Sequence, residues 1–343
     1  MSELRFEDVT VRFGSRRHGL TAVDRVDLAV PPGQVVGLVG ESGSGKTTLA
    51  RAAVGLTPVT GGRILLDGEQ LLHRAGRAGR QRLQMVFQDP TSSLDPRMTV
   101  GESIAEAMPR DTRRSAAGRS AETARLLELV ELAADAAGAY PAQLSGGQRQ
   151  RVALARALAG QPDVIIADEI TSSLDVSIQG TVLNLVRDLH RRLGLSILFI
   201  SHNLAVVRYV SDIVAVMYLG QIVECGPADD VLHDPQHPYT RELLAAAPQP
   251  GAADCHPDGM ATAMPGPELG AGPVADAEPA DPHRPPPGCR FHPRCPIGPL
   301  ALAGRDICRD TEPAGAGHLH LAACHFAHDT AAATAAADQS RRL

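Results

Sequence analysis

The chain has 343 residues and a formal net charge of −6, with 43% hydrophobic and 21% charged residues. Of its 33 basic side chains, 32 are Arg and one is Lys, at position 46. A GTPase needs one lysine in its phosphate loop and another in its base-reading motif, so a single Lys excludes that class. Aromatic residues make up only 3% and no basic face is evident, so we expect no nucleic-acid binding.

The N-terminal segment has none of the apolar character of a signal peptide, and no apolar run approaches the length of a membrane helix. Without an export signal we expect a reducing compartment, which favours a metal site over disulfides for the cysteines. The cysteines are Cys225, Cys255, Cys289, Cys295, Cys308 and Cys324.

Length predicts about two domains, and the composition changes near residue 248. Between Pro248 and Pro313, 15 of the 26 prolines fall within 66 residues, which is typical of an extended linker. The predicted segments are a large domain at 1–248, a Pro/Gly/Ala-rich linker at 249–284, a Cys-bearing extension at 285–328 and a disordered tail at 329–343.

The large domain alternates apolar runs with a helical pattern. Residues 34–40, 163–169 and 195–201 are continuous apolar runs, typical of strands buried on both faces of a parallel sheet. Apolar residues recur at helical spacing between Val182 and Leu193. Residues 61–71 carry Gly–Gly and Asp–Gly turn signals, which predict an antiparallel edge. We therefore expect an α/β layered fold.

The segment GESGSGKT matches the phosphate-loop pattern G-x-x-x-x-G-K-[ST] between a predicted strand and a helix. Its glycines allow backbone N–H groups to converge on phosphate oxygens, and the helix N-terminus adds partial positive charge. Lys46 is expected to reach the β- and γ-phosphates of ATP, and the Thr47 hydroxyl to bind Mg²⁺. The predicted ATP-binding residues of this loop are Gly40, Glu41, Ser42, Gly43, Ser44, Gly45, Lys46, Thr47 and Thr48.

Three polar residues follow two other predicted strands. Asp168 is expected to hold Mg²⁺ through water, and Glu169 to orient or deprotonate an attacking water. Two adjacent acidic residues at a strand end are more often solvent-exposed than catalytic. The phosphate loop upstream in this sequence makes the catalytic interpretation the favoured one. His202 is expected to contact the γ-phosphate and to help align the water.

The motif LSGGQ places a second Gly-rich helix start about 100 residues after Lys46. One ATP does not need two such anion sites from one chain, whereas two chains arranged head to tail do. We therefore expect a dimer in which each chain contacts the nucleotide held by the other. The predicted residues for the opposing ATP are Ser145, Gly146, Gly147 and Gln148.

Together these motifs resemble the ATP-binding-cassette (ABC) family over nearly all of residues 1–248. The resemblance implies a P-loop NTPase cassette with a mostly parallel RecA-like core, an antiparallel edge subdomain and a helical signature subdomain. It implies Phe13 as the adenine-stacking aromatic and Asp175 as the D-loop residue. It implies that Gln88 touches Mg²⁺ and the attacking water and faces the membrane subunit. The implied catalytic residues are Glu169, His202, Lys46 and Gln88, and the implied Mg²⁺ residues are Thr47, Gln88 and Asp168.

The resemblance narrows to importers of oligopeptides and dipeptides, and most closely to the second of that system's two ATPase subunits. Segments RLQMVFQDPTSSLDPRMTVGE, SIQGTVLNLVRDLH, VMYLGQIVECGP and DPQHPYTRELL carry it. The sequence departs from the family at Ile170 for a usual Pro, Asn203 for a usual Asp and Thr91 for a usual Tyr. None of these departures removes a catalytic group. Ile170 lacks the rigid turn that proline gives, which affects the expected hydrolysis rate and not the family resemblance.

Such a subunit implies ATP hydrolysis coupled to peptide uptake at the cytoplasmic face of the cell membrane. The implied partners are a second ATPase subunit (paralogous or identical), two transmembrane permease subunits and an extracytoplasmic substrate-binding protein. Import of nickel chelates or glutathione, and a regulatory cassette not coupled to transport, stay open. Cassettes of DNA repair need a long insertion between Lys46 and Ser145, and translation-type cassette proteins need two phosphate loops; this chain has neither.

The tail segments GCRFHPRC, ICRDTEP and ACHF resemble the Cys-bearing C-terminal extension of the same importers. Four thiolates bind either Zn²⁺ or an iron–sulfur cluster, and the C-x₂₋₄-C pairs usual in zinc sites do not occur. The resemblance favours a [4Fe–4S] cluster on Cys289, Cys295, Cys308 and Cys324. A mixed zinc site stays open, because histidines stand nearby at His292, His318, His320 and His325, and so do four reduced buried cysteines with no metal. Cys225 and Cys255 are expected to be spectators.

Overall fold

The computed structural model describes residues 2–14, 19–71, 81–89, 93–172, 174–246, 280–315 and 319–327. Contacts divide the chain into two units, Met1–Ile222 and Val223–Leu343. The domain boundary at 248 stays a prediction, and most of the predicted linker and tail lies outside the described residues. In the described ranges, no helix is both long and apolar enough to cross a membrane.

The strands of the first unit are β1 (Leu4–Gly14), β2 (Gly19–Val30), β3 (Val35–Val39), β4 (Gly61–Leu66), β5 (Glu69–Gln70), β6 (Leu83–Val86), β7 (Val164–Asp168), β8 (Ser196–Ile200) and β9 (Ile213–Tyr218). Its helices are α1 (Lys46–Ala53), α2 (Val100–Ala107), α3 (Arg110–Arg113), α4 (Ala116–Leu129), α5 (Gly146–Ala159), α6 (Val176–Leu193) and α7 (Leu204–Val210). Strand β10 (Gln221–Pro227) spans the division, and the second unit adds α8 (Ala228–His233), α9 (Pro238–Ala246), α10 (Ile307–Asp310) and β11 (Leu321–Ala322).

The first unit contains a parallel core sheet in the order β9-β3-β8-β7-β6. Every residue of β3, β7 and β8 is buried, as continuous apolar runs predict for strands covered on both faces. Because parallel strands end at one edge of the sheet, the residues after β3, β7 and β8 meet there. This edge collects the phosphate loop, Glu169 and His202.

An antiparallel sheet in the order β2-β1-β4-β5 confirms the predicted antiparallel edge. Helices α2, α4 and α5 pack on one another through buried apolar side chains such as Ile104, Leu126 and Leu127. They form the helical subdomain expected around the LSGGQ motif. The α/β cassette architecture predicted from the sequence is therefore confirmed.

The second unit is organised around the buried carboxylate of Glu224 on β10. It accepts hydrogen bonds from the backbone N–H groups of Gln236 at 2.6 Å and His237 at 3.0 Å. His320 Nε2 lies 2.6 Å from the same carboxylate, beside the antiparallel pairing of β10 with β11. A buried carboxylate is stable only when its oxygens have such partners. Glu224 thus joins β10 to the segments that contain Gln236 and His320.

Aromatic packing holds α9 against the first cysteine loop within this unit. The rings of Tyr239 and Phe291 are both buried, with centroids 5.5 Å apart. Arg294 forms an ion pair with Glu242 of α9 and lies over the Phe291 ring. These contacts position the loop that carries Cys289 and Cys295.

Candidate active site

The phosphate loop lies between the end of β3 and the start of α1. Gly45 precedes the helix with φ at 109°, and a Cβ atom there would lie 2.3 Å from the carbonyl oxygen of Ala22. Only glycine therefore fits this position. The helix start has no side-chain cap, so its first N–H groups stay available to an anion.

Lys46 is 4% exposed and its ammonium group folds over its own loop. Its Nζ donates hydrogen bonds to the carbonyl oxygens of Gly40 at 2.8 Å and Glu41 at 2.7 Å, and to Ser44 Oγ at 3.3 Å. Burial lowers the pKa of Lys46 from its ordinary value, although the charges of Glu169, Asp168 and Glu41 oppose the shift. An incoming phosphate has to displace these loop carbonyls as partners of the ammonium.

Thr47 and Asp168 meet at the base of the loop. The Thr47 hydroxyl donates to Asp168 Oδ1 at 3.1 Å, across 121 residues of sequence. Asp168 is 2% exposed, and burial raises the pKa of its carboxyl. A hydroxyl and a buried carboxylate are oxygen ligands of the kind that Mg²⁺ prefers. The residues present therefore fit the predicted magnesium site, and a cation there would favour ionised Asp168.

Glu169 stands one residue past the end of β7 in a left-handed backbone conformation with φ at 47°. Its N–H donates to the carbonyl oxygen of Ile200 at 3.0 Å, which fixes it beside β8. Gln88 Nε2 donates to Glu169 Oε2 at 3.0 Å, and His202 Nδ1 lies 3.3 Å from Glu169 Oε1. Strained backbone held by its surroundings is frequent at active sites. The structure thus brings together three of the predicted catalytic side chains.

Ser172 belongs to this cluster and was not singled out from the sequence. Its hydroxyl donates to the carbonyl oxygen of Glu169 at 2.9 Å and accepts from Gln88 Nε2 at 3.3 Å. A serine three residues after an acidic strand end is a common turn residue. The available signal was therefore local turn chemistry, which does not reveal the contact with Gln88.

The LSGGQ motif forms the start of α5. Ser145 accepts from the N–H of Gln148 at 3.3 Å, and the Gln148 side chain accepts from the Ser145 N–H at 2.9 Å, which is a capping box. A Cβ atom on Gly147 would lie 2.7 Å from Ile178 Cγ2, so glycine permits close packing against α6. These hydrogen bonds stay within the motif's own turn, so its assignment to an opposing nucleotide stays a prediction.

Other predicted positions lie on accessible surfaces. Phe13 is 43% exposed near the end of β1, and Asp175 is exposed at the start of α6. Among the departures from the family pattern, Ile170 is fully buried, and Asn203 caps α7 by accepting from the N–H groups of Ala205 and Val206. Thr91 lies outside the described residues. The roles of Phe13 and Asp175 stay predictions.

Two neighbouring cavities lie beside Phe87, the residue before Gln88. One of about 440 Å³ is lined by the end of α1, by β4 and by Leu56 and Phe87. The other, of about 380 Å³, shares Phe87 and Arg156 with it. Arg156 pairs with Glu106 of α2 at 3.0 Å. Neither lining includes Lys46 or Glu169, so these cavities are separate from the phosphate loop.

The four cysteines of the extension lie near one another in buried surroundings. Burial raises the pKa of Cys289 to about 11 and of Cys295 to about 12, and the neighbouring thiols contribute to both shifts. Burial also raises the pKa values of Cys308 and Cys324. In the part of the chain that the structure describes, however, no three His, Cys, Asp or Glu side chains are grouped so that they could hold a metal ion. The arrangement therefore does not support the predicted metal site.

Three histidines near the cysteines each have a ring nitrogen close to another protein atom. His292 Nδ1 lies 2.8 Å from the Cys289 carbonyl oxygen, His320 Nε2 contacts Glu224, and His325 Nε2 lies 2.9 Å from the Thr311 carbonyl oxygen. His318 lies outside the described residues. These contacts do not favour a mixed cysteine–histidine zinc site.

Sequence comparison extends these observations to known proteins. The profile of the family described as ABC transporter matches residues 23–172, and that of the oligopeptide/dipeptide transporter C-terminal region matches 223–265 and 256–298. A protein of Brucella ovis named as a peptide import ATP-binding protein is 44% identical over 304 residues, covering 88% of this chain and 90% of that protein. A Brucella abortus protein of the same description is 46% identical over 298 residues, covering 86% and 83%.

Solved structures give the same fold. The ATP-binding cassette MJ0796, in a dimeric post-hydrolysis state bound to ADP and Pi, matches with a TM-score of 0.58 and 27% identity, covering 66% of this chain and 98% of that one. The cbiO1 protein of Clostridium perfringens, part of the ABC transporter complex cbiONQ, matches with a TM-score of 0.58 and 26% identity, covering 67% and 90%. The chain therefore belongs to the ABC transporter family as an ATP-binding cassette with the C-terminal region of the oligopeptide/dipeptide transporters.

Proposed function

We propose that this chain is the ATP-hydrolysing subunit of a membrane importer of peptides. The observation that carries the proposal is the convergence of Lys46, the Thr47–Asp168 pair and Glu169 at one edge of the parallel sheet. Relatives covering most of the chain are named for peptide import. The geometry of the site supports ATP hydrolysis, and the names of the relatives support peptides as the transported substrate.

In the proposed hydrolysis, positioning and electrostatic stabilisation do most of the work. Lys46 leaves its loop carbonyls and donates to the β- and γ-phosphates. Thr47, Asp168 and Gln88 would hold Mg²⁺, which would neutralise charge on those phosphates. Glu169 accepts a proton from the attacking water, and His202 helps to align that water. Phe13, exposed near the end of β1, stacks on the adenine.

The complete site needs a second cassette. Ser145, Gly146, Gly147 and Gln148 lie at a helix start, which favours negative charge, and the cassette MJ0796 was solved as a dimer. We therefore assign these residues, with Asp175, to the nucleotide held by the partner. The partner is a paralogous ATPase subunit or a second copy of this chain.

The two cavities beside Phe87 are suited to a docking segment of the permease. Leu56 is 61% exposed at one of them, and Phe87 links both to Gln88. A permease segment bound in these cavities contacts Phe87, the residue before the proposed magnesium ligand Gln88. Movement of the segment therefore shifts Gln88, and movement of Gln88 shifts the segment. The proposed assembly contains two cassettes, two permease subunits and an extracytoplasmic substrate-binding protein, with this chain at the cytoplasmic face of the membrane.

Substrate-stimulated hydrolysis tests the proposed transport function. The chain is purified with its permease and cassette partners, reconstituted in lipid with the substrate-binding protein, and assayed for Mg·ATP turnover. A dipeptide or a longer peptide is expected to raise turnover at least several-fold, whereas a nickel chelate and glutathione are expected to have no effect. Stimulation by either of the latter alone would replace the peptide assignment, and turnover insensitive to every ligand would favour a regulatory cassette.

For the extension, we propose that Cys289, Cys295, Cys308 and Cys324 together ligate a [4Fe–4S] cluster. The proposal rests on the match of the oligopeptide/dipeptide transporter C-terminal region, which covers Cys289 and Cys295, and on the burial of Cys289, Cys295 and Cys308. A cluster also accepts ligands that are spaced more widely than the four sulfurs around one Zn²⁺, each at about 2.3 Å from the ion. A cluster is therefore compatible with the finding that no group of the described side chains could hold a single metal ion.

Anaerobic purification tests the cluster directly. The expected result is a brown protein containing about four iron and four sulfide per chain. Cys295→Ser is expected to lose most of the iron, while Cys225→Ser, which alters a cysteine outside the group of four, is expected to retain it. A colourless protein containing zinc, or no metal, would contradict the cluster.

A further inference from the structure

The side chain of Gln88 is held by two acceptors at once. A primary amide has two N–H donors, and Gln88 Nε2 lies 3.0 Å from Glu169 Oε2 and 3.3 Å from Ser172 Oγ. Because a carboxylate is an acceptor only, the amide nitrogen and not the oxygen has to face Glu169. Both donors of Gln88 are therefore engaged.

Ser172 is oriented so that it can accept from Gln88. Its own hydroxyl proton is directed to the carbonyl oxygen of Glu169 at 2.9 Å, so the lone pairs of Oγ remain for the amide. The N–H of Ser172 donates to the same carbonyl at 3.0 Å, which fixes the turn between the two residues. The serine thus presents a fixed acceptor beside the carboxylate of Glu169.

This position of Gln88 competes with its proposed catalytic position. One amide group cannot bind Glu169 and Ser172 and at the same moment contact Mg²⁺ and the attacking water. Glu169 is also approached by His202 Nδ1 at 3.3 Å on its other oxygen. In this arrangement the proposed base is occupied by its own neighbours, and hydrolysis requires Gln88 to leave.

We propose that Ser172 is a positioning residue that holds Gln88 against Glu169 and thereby restrains hydrolysis until Gln88 is drawn away. The inference rests on the roles proposed above for Gln88 and Glu169. Phe87, adjacent to Gln88, lines both cavities assigned to the permease.

The test compares Mg·ATP turnover by full-length Ser172→Ala, Ser172→Thr and wild-type protein. Loss of one neutral hydrogen bond is expected to raise the basal kcat about two- to ten-fold in Ser172→Ala. The KM for ATP is expected to stay unchanged, because Ser172 is assigned no contact with nucleotide. Ser172→Thr keeps the hydroxyl and is expected to remain within about twofold of wild type.

The outcomes separate a restraint from a structural role. If Ser172 only stabilised its turn, Ser172→Ala would lower the melting temperature and leave kcat equal or lower, which would overturn the proposal. Should Ser172→Ala fail to fold, Ser172→Cys keeps the shape while replacing a strong acceptor with a weak one, and the same rise in kcat is expected. If turnover is abolished in Glu169→Gln but kcat does not rise in the Ser172 variants, the proposed role of Ser172 is refuted and the assignment of Glu169 as the base stands. Undiminished turnover in Glu169→Gln refutes the site assignment itself.

Discussion

Glu169→Gln is expected to lower the turnover of Mg·ATP by about 10²–10⁴-fold while ATP binding is retained. The amide has nearly the shape of the carboxylate and stays within reach of Gln88 and His202, which lie 3.0 and 3.3 Å from the carboxylate oxygens. It cannot accept the proton of the attacking water. Single-turnover hydrolysis and equilibrium binding of ATP measure the two effects separately.

A matched control for this substitution is Glu122→Gln, on the surface of α4. Glu122 pairs with Arg125 at 2.7 Å on the same helix, and a pair of this kind contributes at most about 1 kcal/mol to stability. Its turnover is expected to equal that of the wild type. Wild-type turnover in Glu169→Gln would show that another group serves as the base.

Lys46→Arg is expected to lower kcat/KM for ATP by about 10²–10³-fold. The ammonium occupies a site where it is 4% exposed and contacts three loop oxygens. A planar guanidinium is larger and directs its donors in a fixed fork, so it fits poorly between the β- and γ-phosphates. Turnover as a function of ATP concentration measures the loss.

The single lysine also provides a chemical control. Arg125→Lys adds a second ε-amino group on the exposed surface and is expected to leave turnover within about twofold of wild type. An amine-selective reagent is expected to label the added lysine whether or not Mg·ATP is present, but to label Lys46 only in its absence. Labelling of Lys46 that is insensitive to Mg·ATP would contradict its place at the phosphates.

Sequence patterns predicted the elements that depend on continuous burial and on turn chemistry. The apolar runs at 34–40, 163–169 and 195–201 correspond to β3, β7 and β8, and the helical spacing before Leu193 falls within α6. Because these strands are parallel, the motif residues that follow them lie at one edge of the sheet. That is why the meeting of Thr47 with Asp168 follows from the sequence.

Contacts that depend on side-chain direction were not predictable in this way. The restraint of Gln88 by Ser172 spans 84 residues and depends on which way one hydroxyl points. The hydrogen bonds of Lys46 to the carbonyl oxygens of Gly40 and Glu41 depend on the path of the loop backbone, which the motif does not specify. The three donors around Glu224 come from segments that share no periodicity. The metal content of the extension likewise depends on sulfur positions that spacing alone leaves undetermined.

Glu224 cannot gain its third hydrogen-bond donor until residue 320 has been synthesised. The backbone donors at Gln236 and His237 follow it by 12 and 13 residues, whereas His320 follows it by 96. The ribosome therefore has to release almost the whole second unit before the third donor exists. Every residue of the proposed ATP site has been synthesised by then. The nascent chain can therefore form its ATP site before its C-terminal region has folded.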